Sequence, residues 1–496
     1  MSMSNIHWAG VIAGVLLFFL LLKVITDITK GNEGRFLVRD LNKYLLWDRR
    51  VKGSLLGATY AASMVSAMVF VPLPGLFYTH GIGAWLFICL PVIFGVTSFL
   101  WFGVRLHRLQ DSSPRQLLSP FELIGSAYES RFVGAALFLV TALFVVPLIA
   151  MQIVSFGRLA EGFLDVPYWV SVILIVTLFV FYTAFAGMQG DVKTDKFQGW
   201  AMVVGLLLVA GLVLHILLTD RPQTGSIDLA PYFSLPGPNG FFTVPVLISV
   251  GILMAALPLV NGHYIMRFMI ARNEDALRKG MTHAAMWITA FYVLAGAIGL
   301  MGVVAVPGLD SGDMLTGAIL ERSGFGVFGI VAGGVILFGI VAASLSSVDS
   351  QFLALGAGAC RDIFLNVFNY SLPDKEQLIL VRLIMFVMGV AAIGMALDPP
   401  RLVIQLNVLA AAGPLILLPT AVVGVIWPRR VSGFVPLGSI FMGLAAFFIL
   451  YSVFGNDGIQ GWNIGLISGM LATLVFAGLV GVDMARTERP ANDWRV

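Results

Sequence analysis

A run of about 20 mainly apolar residues is long enough to cross the hydrocarbon core of a bilayer as a helix, and this chain carries such runs almost from end to end. Apolar windows place helices at roughly 8–28, 53–77, 81–105, 131–160, 167–187, 196–218, 243–271, 281–306, 324–357, 377–397, 402–427, 432–453 and 462–483. The first window has no basic flank before it and no small-residue cleavage site after it, so it reads as a retained helix. Of the 496 residues, 58% are hydrophobic and only 11% charged, too few charges to cover a soluble chain of this length. The expectation is an all-α, polytopic membrane protein of about thirteen transmembrane helices, whose first partner is the lipid bilayer.

An odd number of spans puts the termini on opposite sides, and the basic residues choose which. One set of loops holds Lys30, Arg35, Arg39, Lys43, Arg49, Arg50, Lys52, Arg105, Arg108, Arg115, Arg131, Lys193, Lys196, Arg267, Arg272, Arg278 and Lys279. It continues with Arg361, Lys375, Arg382, Arg429, Arg430, Arg486, Arg489 and Arg495, whereas the other set holds Arg158, Arg221, Arg322 and Arg401. Basic loops stay in the cytoplasm. The chain is therefore expected in the cell (inner) membrane with its N-terminus outside and its C-terminus inside. The net charge of +3 comes with no basic block, so no nucleic-acid partner is expected. Two isolated cysteines, Cys89 and Cys360, make no disulfide or metal motif. Six scattered histidines show no nucleophile–base spacing, so no enzyme and no organic cofactor is expected.

Polar clusters at membrane depth mark the chemistry. VAASLSSVDSQ, residues 341–351, interrupts the ninth apolar run. On a helix Ala343, Ser346 and Ser347 share one face. Two hydroxyls and a freed carbonyl there suit a hard cation such as sodium, or else the serines bond back to the previous turn and serve helix packing. Asp349 points to another face. It is either a functional acid or a residue near the inner boundary bonded to a neighbouring helix. In GATYAASMVSAMVFVPLPGLFY, residues 57–78, Pro72, Pro74 and Gly75 would each disturb the second helix, after the small residues Ala61, Ala62, Ser63 and Ser66. Broken helices with exposed carbonyls accompany ion sites in secondary transporters, although an ordinary proline kink would look the same.

These stretches resemble the sodium/solute symporter family. LSSVDSQFLALGAGACRDIF (345–364) is similar to its Met-Ser-Thr-x-x-Ser-Gln stretch, and AASMVSAMVFVPLPG (61–75) to its Ala-Ser-x-x-Ser run before Leu-Pro-Gly. FAGMQGDVKTDKFQG (185–199) resembles Gly-Gly-x-x-Ala-Val-x-x-Thr-Asp-x-x-Gln, and GHYIMRFMIARNEDALRKG (262–280) resembles Pro-His-Ile-x-x-Arg-Phe. Residues 411–443 resemble its Gly-Pro to Trp-basic to Gly stretch. The resemblance implies a core of two inverted five-helix repeats, the fold shared with the bacterial leucine transporter. Residues 1–52 would form an N-terminal helix and loop, 53–218 the first repeat, 243–427 the second, and 428–496 two further helices with a short tail. It also implies a co-transported sodium ion held by carbonyls of Ala62, Val65 and Ala343 and hydroxyls of Ser346 and Ser347. Asp195 matches a family aspartate near the ion's inner exit path. Met64 stands where some relatives carry a carboxylate or amide, and Gly262 where the family has proline.

Candidate solute contacts are the polar residues Ser66, Thr141, Gln152, Ser155, Ser249, Asn261, Gln405 and Asn407. Each has helix–helix hydrogen bonding as its ordinary alternative. His263 and Arg267 are expected at the cytoplasmic interface, leaving no basic residue in mid-span. That favours a small neutral, zwitterionic or monocarboxylate solute, imported with sodium by alternating access. The rivals are a proton-coupled carrier using Asp349 or Asp195, and a membrane sensor that binds solute with little transport.

Overall fold

A computed structural model describes residues 40–164, 166–219, 228–322, 326–398, 404–455 and 458–487, with isolated helical positions nearer the N-terminus. The first expected span, 8–28, lies outside the described residues apart from those isolated positions. Among the described residues the structure is helical, with two isolated β-bridges and no longer strand. The main helices are α1 (Leu41–Leu46), α2 (Gly53–Val65), α3 (Pro72–His80), α4 (Ala84–Ser98) and α5 (Arg131–Leu164). They continue as α6 (Tyr168–Thr219), α7 (Val244–Val260), α8 (Gly262–Met269), α9 (Glu274–Ala305), α10 (Gly326–Gly358) and α11 (Asp374–Ala396). The last are α12 (Ile404–Ala412), α13 (Leu418–Ile426), α14 (Phe434–Phe454) and α15 (Ile464–Thr487).

Ten helices among the described residues are long and apolar enough to cross a membrane, or eleven if α7 and α8, bent by 45°, form one span. The expected thirteen is not reached in that count, for identifiable reasons. The first window falls outside the described residues, and the windows 167–187 and 196–218 form the single element α6. At 1.5 Å per residue α6 would reach roughly 80 Å, against about 30 Å of hydrocarbon. It is divided at Gly187, whose φ of 55° and ψ of −171° are not helical. A Cβ at Gly187 would meet the Tyr44 ring. The Tyr44 hydroxyl donates to the Thr183 carbonyl at 3.0 Å. Burial pushes its phenol up to about 12, so it remains a donor at neutral pH.

The most extensive helix contacts are α10 along α6 and α9 along α2. Glycine makes the second possible: a Cβ on Gly57 would strike the Gly280 carbonyl and lie 2.8 Å from the Ala284 nitrogen. Without a hydrophobic drive between helices in lipid, such small residues allow the close approach that holds them together. Large apolar side chains point outward, among them Phe441 at 71% exposure and Leu474 at 68%. On a water-facing surface these would be a liability; facing acyl chains they are at home. The buried core lies where α2, α6, α8 and α10 meet, and it contains the buried charged residues Asp191, Asp195, Arg267 and Asp349.

Candidate functional site

The second expected span is broken, but not at its prolines. Helix α2 ends at Val65. Ser66 adopts φ 54°, ψ −171°, a short 3-10 turn follows over Ala67–Val69, and Pro72 then opens α3. Proline in the first turn of a helix loses no hydrogen bond there, so Pro72 and Pro74 are accommodated without distortion. A non-glycine residue at positive φ is costly and persists only when its surroundings hold it. Those surroundings are visible. Gln152 Oε1 of α5 accepts from the Ala67 N–H at 3.0 Å, and Ser66 Oγ accepts from the Met68 N–H at 3.3 Å. The Thr316 hydroxyl donates to the Phe70 carbonyl.

Opposite this break lies the serine face of α10. Ser346 Oγ is 3.2 Å from the Ala62 carbonyl and 2.9 Å from the Ala343 carbonyl. Ser347 Oγ is 3.2 Å from the Ser63 carbonyl and 3.4 Å from those of Ala62 and Ala343. Four of the five sequence-expected residues therefore meet, with Ser63 as an addition. Val65 ends α2 directly before the break and is fully buried. Ser346 and Ser347 are 0% exposed. Carbonyls and hydroxyls with no charge form the donor set a hard, weakly held monovalent ion needs.

The largest departure from expectation is Arg267. It was expected at the interface but is 0% exposed on α8, in the middle of the core. Its guanidinium reaches Asp191 with two prongs, Nη1 to Oδ2 at 2.8 Å and Nη2 to Oδ1 at 3.1 Å, and lies 3.4 Å from Asp195 Oδ2. Its Nε and Nη2 donate to Ser63 Oγ at 3.1 and 2.8 Å. The Thr59 hydroxyl donates to Asp195. Ser63 thus faces two ways, its carbonyl toward Ser347 and its hydroxyl toward Arg267. Asp195, placed by sequence on the ion's inner exit path, stands in this ion-pair cluster. Asp349 is fully buried, with Oδ1 accepting from the Ser350 N–H at 2.9 Å and Oδ2 without a hydrogen-bond partner. The interfacial placement expected for Arg267 is therefore replaced by a buried, ion-paired one. Apolar windows flag a charge but cannot show its partners, and the pairing of Arg267 with carboxylates of α6 is a long-range contact. The sequence signal available was the pair Asp191 and Asp195, two acids four residues apart and so on one face of α6.

Between the break and its neighbours lies a cavity of about 30 Å³. Its lining includes Ser63, Met64, Ser66, Gln152, Tyr264, Tyr292 and Gln351. Of the sequence candidates, Ser66 and Gln152 line it. Ser249 does not: its hydroxyl accepts from the Asn463 N–H at 3.1 Å, a helix-packing bond. Asn261 sits between α7 and α8, buried, with both amide atoms lacking hydrogen-bond partners, but outside this lining. Thr141 and Ser155 are buried, and Ser155 bonds back to the Met151 carbonyl at 2.8 Å. Gln405 and Asn407 lie on α12, with side chains outside those described. Tyr264 and Tyr292 were missed because a lone tyrosine in an apolar helix looks like any packing residue, whereas Gln351 was in view as the last residue of the polar stretch 341–351.

The Sodium:solute symporter family model matches residues 44–433. The chain is 23% identical over 482 residues to the sodium/pantothenate symporter of Haemophilus influenzae, covering 94% of this chain and 96% of the relative. It is 24% identical over 462 residues to the high-affinity proline transporter of Bacillus subtilis, covering 89% and 93%. Among solved structures it is similar to a Na+-coupled sialic acid symporter in a substrate-bound outward-open state, at TM-score 0.75 and 17% identity over 95% of this chain and 98% of that one. It is also similar to a nucleobase-cation-symport-1 family transporter in a closed conformation, at TM-score 0.56 and 14% identity over 89% and 94%.

Proposed function

The chain belongs to the sodium:solute symporter family, and from that membership we propose that sodium binds between α2 and α10 and drives uptake of a small carboxylate-bearing solute held at the break after Val65. The observation that carries the ion site is the meeting of the Ser346 and Ser347 hydroxyls with the Ala62, Ser63 and Ala343 carbonyls across two helices. As sodium arrives, both hydroxyls turn their hydrogens away and present lone pairs, with Val65 supplying a further carbonyl. An ion there ties the end of α2 to α10. The residues just beyond, Ser66 and Ala67, are held by Gln152, so the ion's grip passes to the wall of the central cavity. Residues 53–218 and 243–427 are the two halves that move against each other.

A cavity of about 30 Å³ holds no more than about one water. The arrangement described is closed, and entry of a solute requires the halves to part. No charged side chain lines this cavity, while Ser66, Gln152, Tyr264, Tyr292 and Gln351 offer hydrogen bonds and Met64, Met68, Met151 and Met254 offer an adaptable apolar wall. Pantothenate and proline, named for two relatives, each carry one carboxylate on a largely uncharged or dipolar body, which suits such a lining. The test is uptake into proteoliposomes across a panel containing both, with an imposed sodium gradient at constant pH. Accumulation that follows sodium supports the reading. Uptake driven by a pH gradient in sodium-free buffer, and lost in Asp349→Asn, would replace it with proton coupling. Binding without accumulation would replace it with a sensor.

A further inference from the structure

A second cavity, of about 750 Å³, opens at the other end of α3 from the break. It lies on the side whose loops are poor in basic residues. Tyr78 and Thr79 line it from the end of α3, Arg158 from α5, Tyr232 and Asn239 from the segment after 228, and Asp310 from the loop after α9. Two donors at this cavity are buried without a hydrogen-bond partner, Thr79 Oγ1 and Arg158 Nε. A buried donor left unmade costs about 1–3 kcal/mol. Two of them at one open cavity, one on a guanidinium, call for an acceptor from outside the chain.

We propose that this cavity is a sodium-independent capture site for the carboxylate of the incoming solute, held by Arg158 and Thr79. Guanidinium recognises carboxylate with charge-assisted, directional bonds, which an ammonium matches poorly. Asp310 in the same wall repels dianions and trianions, so a single carboxylate is selected over phosphate or sulfate. A zwitterion gains further, because its cationic end faces Asp310. The neighbouring bonds are already made: Asn239 Nδ2 donates to the Thr79 carbonyl at 2.9 Å, and the Tyr78 hydroxyl donates to the Val306 carbonyl at 2.9 Å while accepting from the Leu309 N–H at 3.0 Å. They hold the wall and leave Arg158 and the Thr79 hydroxyl for the ligand. None of the proposed sodium ligands lines this cavity, so capture does not require the ion. Helix α3 then runs from Thr79 back toward the break, where the central cavity lies. The inference rests on the symporter reading for its solute.

The test is equilibrium binding of radiolabelled proline and pantothenate to the purified full chain, with and without sodium. The expected result is two components, one of them persisting in sodium-free buffer. Arg158→Ala should weaken that component by about tenfold or more, and Arg158→Lys by less, the loss of one charge-assisted bond pair. Thr79→Val should weaken it by roughly threefold. Prolinamide, which lacks the carboxylate, should not compete for it. Ser346→Ala should diminish only the sodium-dependent component, and its failure to do so would count against the ion site and not against this one. The proposal is overturned if neither probe binds without sodium, if Arg158→Ala binds as wild type does, or if prolinamide competes equally.

Discussion

Replacing Arg267 by methionine is the sharpest perturbation the core offers. The guanidinium is 0% exposed and is enclosed by Asp191, Asp195 and Ser63, with contacts from 2.8 to 3.4 Å. Methionine keeps most of the stem's volume but removes the charge, leaving two buried carboxylates with no cation between them. Removing one partner of a buried pair costs about 3–5 kcal/mol. Much of that is the stranded charge and not the worth of the pair, and this distinction makes a second prediction. Asp191→Leu alone should also cost about 3 kcal/mol, because the 3.4 Å approach to Asp195 is then the one ion pair left to Arg267 among the described residues, beside its bonds to Ser63. The double variant should recover about 2 kcal/mol or more of the summed cost, because Asp195 is then the one carboxylate of the cluster without its cation, where Arg267→Met alone strands two. The assay is reversible unfolding in mixed detergent micelles, with sodium affinity measured on the folded fraction. Sodium affinity should fall in Arg267→Met, because Ser63 loses two of its donors and its carbonyl faces Ser347. A stability change below about 1 kcal/mol, or single costs that add to within about 0.5 kcal/mol, would refute the pairing as an energetic feature of the core.

Three further outcomes can be checked. Ser346→Ala and Ser347→Ala each remove one oxygen from a set of five or six, and should raise the sodium concentration for half-maximal uptake by roughly five- to tenfold with normal insertion; unchanged sodium dependence in both would return these serines to a packing role. Gly57→Val pushes methyl groups into the Gly280 carbonyl and the Ala284 backbone, and should destabilise the α2–α9 contact by about 1–3 kcal/mol, read as a lower melting temperature in detergent; a melting temperature equal to wild type would contradict the close approach. A reporter fused after Val496 should read out in the cytoplasm, and a tag before His7 should be reached from outside, as the basic loops require; a periplasmic C-terminus would mean that the spans are miscounted.

What the sequence alone determined are the properties that local composition controls. Long apolar runs specify membrane helices, because a bilayer demands length and hydropathy and little else. The serine pair on α10 was legible because i, i+3 and i+4 share a face whatever the surroundings. Three features needed tertiary structure. The break falls at Ser66 and not at Pro72, because a proline in the first turn of α3 costs nothing, whereas the strain at Ser66 is sustained by Gln152 from another helix. The polar stretch 188–195 between the windows 167–187 and 196–218 reads as a loop but is helical, because Asp191 and Asp195 are buried against Arg267 and the bend needs only the one permissive residue Gly187. Arg267 looked like one more basic residue near a helix end, and its burial follows only from Asp191 and Asp195 arriving on α6 from more than 70 positions away. A buried charge is decided by its partners, and partners brought together by packing leave no trace in the hydropathy of either helix.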